Sequence, residues 1–151
     1  MGTGKSSRAG RVHEIRVLFA FVAQEPRTGP LSFGFSVKVK DLLLSTDLWA
    51  GALIRRAELA GAYAVVARKG DPRAGAVLVK VVNRRAVEVR LYASAVRGEG
   101  EQVWMQPVAS TDEAEVDAFI GRQVRFDPDL WIIEIEDPEG RHFLTEPVEL
   151  R

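Results

Sequence analysis

In the stretch AVEVRLYASA, Val87, Val89 and Leu91 alternate with Glu88, Arg90 and Tyr92. That two-residue period predicts a strand with one wet face. Upstream, AYAVVARKG and AGAVLVKVV flank Gly70-Asp71-Pro72-Arg73, which reads as a hairpin. EQVWMQPV reads as a further strand, and Pro107 places it at an edge or ends it there. In DPDLWIIEIEDPEGRHFL, Trp131, Ile133 and Ile135 alternate with Ile132, Glu134 and Glu136, and Asp137-Pro138-Glu139-Gly140 turns the chain into a short last strand.

Two stretches carry the helical period instead. In STDLWAGALIRRAELAG, Trp49, Ala50, Leu53, Ile54, Ala57 and Ala60 share one side, with Gly51, Arg55 and Glu58 opposite. Ser45, Thr46 or Asp47 can cap its start, and Gly61 stops it. Ser110-Thr111-Asp112-Glu113 has the spacing of a capping box, and the helix behind it shows Val116, Phe119, Ile120 and Val124 on one face. The order is helix, strands, helix, strands, with short connections that favour antiparallel pairing. The expected fold is α+β: two layers, a mainly antiparallel sheet of about five strands, and both helices on one face.

Residues 41–151 read as one such compact domain, whereas residues 1–40 carry no stable period. QEPRTGPLSFGFS breaks any pattern with prolines and glycines. The composition, 46% hydrophobic and 28% charged with no cysteine, belongs to a globular domain without disulfides or thiolate chemistry, and fits a reducing cytoplasm. Lys+Arg and Asp+Glu balance at 21 each, but unevenly along the chain. Lys5, Arg8, Arg11, Arg16, Arg27, Lys38 and Lys40 against Glu14 and Glu25 give residues 1–40 a net of +5, leaving −5 for the rest. The apolar run Val17–Ala23 is too short to span a membrane, and no clear cleavage site follows it.

Gly4-Lys5-Ser6 imitates the end of a phosphate-binding loop. That loop needs a glycine five residues earlier and a buried strand before it, and the chain begins only three residues before Gly4. The motif is expected to bind no nucleotide.

TDLWAGALIRRAELAGAYAVVARKGDPRAGAVLVKV and RFDPDLWIIEIEDPEGRHFL resemble domain-of-unknown-function family 1491, small bacterial proteins mostly from alphaproteobacteria. The resemblance covers residues 44–145 and rests on two motifs, the first helix running into RKGDPRAG and RFDPDLW with its strand. It implies a stand-alone domain of about a hundred residues. It brings no activity and therefore no functional residues. It also implies that residues 1–36 are an irregular basic extension, either a disordered terminus or a stretch upstream of a true start at Val37 or Val39.

Candidate chemistry is sparse. His13 and His142 are the histidines, and the body's serines are Ser45, Ser94 and Ser110. No catalytic, cofactor-binding or metal-ligating set stands out, and no cofactor is expected. The acidic run Asp127, Asp129, Glu134, Glu136 and Asp137 lacks calcium-loop spacing. Arg68, Lys69 and Arg73 surround a glycine turn that could hold an anion, although a solvated hairpin tip explains them as well. Leu78 and Tyr92 are assigned to an open sheet face, too apolar to be left wet; Trp104 either joins them there or, with the parity reversed, is a core residue. A second copy or another protein would cover that face, so replacing Leu78 or Trp104 is expected to break an assembly and leave the monomer folded.

The reading is a cytoplasmic, non-enzymatic protein-interaction or accessory module, forming a homodimer or a complex with another protein and needing no membrane. The alternative is a nucleic-acid binder using the basic tail, Arg55, Arg56 and the Arg68–Arg73 loop, opposed by the body's negative charge. Deleting residues 1–36 should shift the melting temperature by only a few degrees, because that stretch lacks the periodicity of packed elements. Loss of a cooperative transition in circular dichroism would show that it packs on the body.

Overall fold

The computed structural model describes residues 45–97 and 101–149; the basic extension with its Gly4-Lys5-Ser6 motif lies outside them. In chain order the elements are α1 (Thr46–Leu59), β1 (Tyr63–Arg68), β2 (Val77–Asn83), β3 (Glu88–Arg97), β4 (Glu101–Met105), α2 (Glu113–Phe126), β5 (Trp131–Glu136) and β6 (Val148–Glu149). The six strands form one sheet in the order β1-β5-β2-β3-β4-β6. The α+β class stands, with a mixed sheet: β5 runs parallel to β2 and β6 parallel to β4, while the other pairs are antiparallel.

The expected β1–β2 hairpin does not form, because β5 inserts between its arms. Two loops make room for it. The amide of Asp71 donates to the carbonyl of Asp129 at 3.0 Å, and the Trp131 indole N–H donates to the carbonyl of Asp71 at 2.7 Å. A Cβ on Gly70 would stand 1.8 Å from the Asp129 oxygen, and one on Gly75 2.5 Å from it. Only glycine admits so close an approach.

With β5 in place, β2 is a central strand buried on both sides, which explains its unbroken apolar run. The helices therefore divide between the two faces instead of sharing one. On the first face α1 places Ala50, Leu53 and Ala57 against Val77, Val79, Val81, Ile133 and Ile135. On the second, α2 sets Val116, with Phe119, Ile120 and Val124 around it, against Leu78, Val82, Val89 and Leu91. The α2 cap is Asp112, whose carboxylate accepts the Glu115 amide at 3.0 Å; Ser110 instead accepts the amide of Asp112.

The end of the chain is a strap, not a hairpin. Beyond β5 it crosses the first face, packs Phe143 and Leu144 into that core, and pairs β6 with β4. Asp137 starts it. This carboxylate is fully buried and takes two bonds from the Arg141 guanidinium and two from the amides of Glu139 and Arg141.

The expected open face is thus corrected. Leu78 is 1% exposed beneath α2, and Trp104 is 4% exposed on the opposite face, stacked on Trp49 of α1 at 5.3 Å with its N–H bonded to Glu146. Tyr92 is buried on the Trp104 side. What covers the apolar sides of β2 is the chain's own helices. Val87 is corrected too: it sits in the turn before β3 at φ 56° and is 86% exposed, a strained position for a β-branched residue.

Trp104→Ala should cost roughly 3–5 kcal/mol, typical of a buried aromatic lost from a core. Leu78→Glu should cost at least as much, since it buries an unpaired carboxylate. Urea unfolding of the two variants checks this, and wild-type midpoints would return both residues to the surface.

Candidate functional site

Six strands are more than two helices of 14 residues can cover. On the second face α2 lies over β2 and β3, and among the described residues the outer half over β5 and β1 has no helix above it. There the register sets Tyr63 beside Glu136 and Val65 beside Glu134. Tyr63 is 67% exposed. Ala64 and Val66, the alternate residues of β1, point to the first face and pack in the α1 core. β1 is also an edge strand, so its outer backbone groups have no sheet partner among the described residues. A bulge at Val66–Arg68 ends regular pairing at that end.

Lys80 marks the boundary between covered and open halves. It projects from β2 and is 5% exposed. Its ammonium bonds Asp117 at 2.7 Å and Glu113 at 3.0 Å, one helical turn apart on α2, and lies 3.7 Å from Glu134 on β5. Burial alone would lower its pKa, but the hydrogen bonds to Asp117 and Glu113 and the nearby carboxylate charges outweigh it and hold the pKa above that of an ordinary lysine. Arg84 bonds Glu136 at 2.9 Å. Four carboxylates (Glu113, Asp117, Glu134, Glu136) thus face two cations (Lys80, Arg84), a net of −2 at one surface.

The residues singled out in the sequence do not converge. Arg55 is exposed on α1, and Arg68 donates to the Pro128 carbonyl at 2.9 Å. Lys69 and Arg73 are exposed in the β1–β2 loop. Four of that loop's amides are engaged within the protein: those of Arg73 and Ala74 donate to the Asp71 carboxylate, that of Asp71 to the Asp129 carbonyl, and that of Gly75 to the Asp71 carbonyl. The bonds from Ala74 and Arg73 hold the Asp71 pKa below the usual carboxylate value. Leu78, Tyr92 and Trp104 are core. The acidic run is dispersed, with Asp137 buried under Arg141, Glu134 and Glu136 on the open half-face, and Asp127 and Asp129 in the loop before β5. Among the described residues no three His, Asp or Glu side chains gather as metal ligands.

The sequence reading missed Lys80 and Tyr63. Lys80 was visible as the one charge in an apolar strand; what it meets on α2 and β5 is a matter of tertiary contact.

Two depressions are found among the described residues. A cavity of about 60 Å³ lies between Arg90, Glu88, Asn83 and Glu139. A shallow groove of about 500 Å³ runs between residues 107–110 and α2, lined by Phe119 and Arg122. His142 lies outside both; its ring packs on Tyr92 at 5.1 Å, and its Nδ1 accepts the Leu144 amide at 3.0 Å.

The chain belongs to the family of proteins of unknown function DUF1491, whose model matches residues 44–145. Its fold is similar to the crystal structure of a DUF1491 family protein from Caulobacter crescentus, 66% identical, with a TM-score of 0.70 over 71% of this chain and 100% of that one. The NMR structure of a DUF1491 family protein from the same organism matches with 66% identity and a TM-score of 0.68, over 72% of this chain and 98% of that one. A protein from A. tumefaciens, solved in solution, is 32% identical with a TM-score of 0.62, over 72% of this chain and 98% of that one. No curated protein matches the chain. Among the described residues no helix is long and apolar enough to cross a membrane.

Burial holds the His142 pKa below its ordinary 6.5. The unfolded chain therefore takes up this proton first as pH falls, so the contribution is complete above about pH 6.5 and is lost below it, down through the depressed folded-state pKa. His142→Gln should flatten that part of the stability–pH curve. Parallel curves for wild type and variant between pH 7 and 5 would refute the assignment.

Proposed function

We propose that this domain is a protein-interaction module whose contact surface is the open half-face over β1 and β5 together with the free edge of β1. One observation carries the reading: among the described residues this half of the second face has no helix over it, and Tyr63, at the start of the edge strand, is exposed. Exposed aromatics beside polar rims are typical of contact surfaces. The edge adds backbone groups able to pair with another chain.

Charge favours a different protein over a second copy, because two such faces brought together would oppose carboxylate to carboxylate. The same charge disfavours nucleic acid, whose phosphates need surplus cations. A cytoplasmic setting fits the cysteine-free composition.

A photo-crosslinking amino acid at position 63 should yield a discrete adduct in native lysate, and one at Leu48, also exposed but on α1, should not. Equal labelling from both positions, or from neither, would remove this surface from consideration.

A further inference from the structure

We propose that the partner offers an extended segment in which lysine or arginine alternates with small apolar residues, added as a strand along β1. This rests on the reading of the β1–β5 half-face as the contact surface. A strand laid beside β1 points successive side chains to opposite faces. Those on the second face come to lie along Tyr63 and Val65, one strand away from Glu136 and Glu134. Neighbouring strands lie about 4.8 Å apart. A long cationic side chain can cross the β1 backbone, rest its stem on the tyrosine ring and present its charge to those glutamates. Lys80 is shared among Glu113, Asp117 and Glu134 while Arg84 answers Glu136, so the four carboxylates keep a net of −2 against these two cations. Side chains on the other face lie on the side of Ala64 and Val66, which pack in the apolar core under α1. Small apolar residues fit there. The bulge at Val66–Arg68 limits the pairing to a short stretch beginning at Tyr63.

The alternation is found in this chain's own sequence at Val37-Lys38-Val39-Lys40, which supplies the probe. A labelled peptide of four Val-Lys repeats is titrated with the full chain by fluorescence anisotropy, beside Val-Ser and Val-Glu repeats of equal length. The Val-Lys peptide should bind at least tenfold more tightly than the Val-Ser peptide, weaken steadily with added salt, and lose about threefold to tenfold in affinity on Glu134→Gln/Glu136→Gln. Tyr63→Ala should weaken it as well. The substituted side chains are partly or largely exposed, so unchanged melting curves confirm that these variants fold. Equal, salt-independent binding of the Val-Lys and Val-Ser peptides, weakened by Tyr63→Ala, would overturn the basic partner and keep the contact surface. Peptide binding that none of the three substitutions alters would overturn both. Absence of binding to all three peptides would overturn the strand addition, leaving the crosslinking at position 63 to decide the surface independently.

Discussion

The contact between the β1–β2 loop and the loop preceding β5 is the constraint on which the rest of the structure depends. Asp71 donates to Asp129, Trp131 returns a bond to Asp71, and Gly70 and Gly75 leave no Cβ where the Asp129 carbonyl passes. This closure seats β5 between two strands that are neighbours in sequence. Once it is seated, β2 and β5 are interior strands, and both sides of the sheet must be covered. The family resemblance rests on the two segments that meet here, RKGDPRAG and RFDPDLW. Their joint geometry gives them a structural role before any chemical one is invoked.

Two buried charges tie the outer layers to that sheet. Lys80 on the central strand holds the start of α2 through Glu113 and Asp117. Asp137 holds the strap through Arg141, which also reaches the carbonyl of Ala60 at the end of α1. Both are fully partnered, as buried charges must be to avoid the cost of desolvation. Neither behaves as a poised catalytic group: Lys80 is held protonated and Asp137 is held ionised, each by its partners. Stability and orientation explain them. The proposed contact surface lies instead on the part of the sheet that these ties leave uncovered.

Among the described residues that uncovered half follows from element lengths. The strap, α1 and the Trp49–Trp104 stack close the first face from β1 to β4. On the second face one helix of 14 residues spans only part of the sheet, and the acidic residues of β5 are left on the outer half, beside the edge.

Much of this was legible in the sequence. Both helices, the main strands and the apolar stripes of α1 and α2 appear where the periodicity puts them, because a period of 3.6 or 2 is a local property of the backbone. The α+β class follows from their order. Strand pairing was not legible. Nothing within β1, β2 or β5 states that the last of them lies between the other two; that depends on loops about sixty residues apart in the chain approaching without a side chain between them. The same event decided the faces. Leu78 and Trp104 read locally as apolar residues in need of cover, and the unbroken run of β2 reads equally as a wet strand awaiting a partner or an interior one. Residue type determined that these side chains would be buried; only the tertiary structure determined that their own chain buries them, and that Tyr63, Glu134 and Glu136 are the ones left facing out.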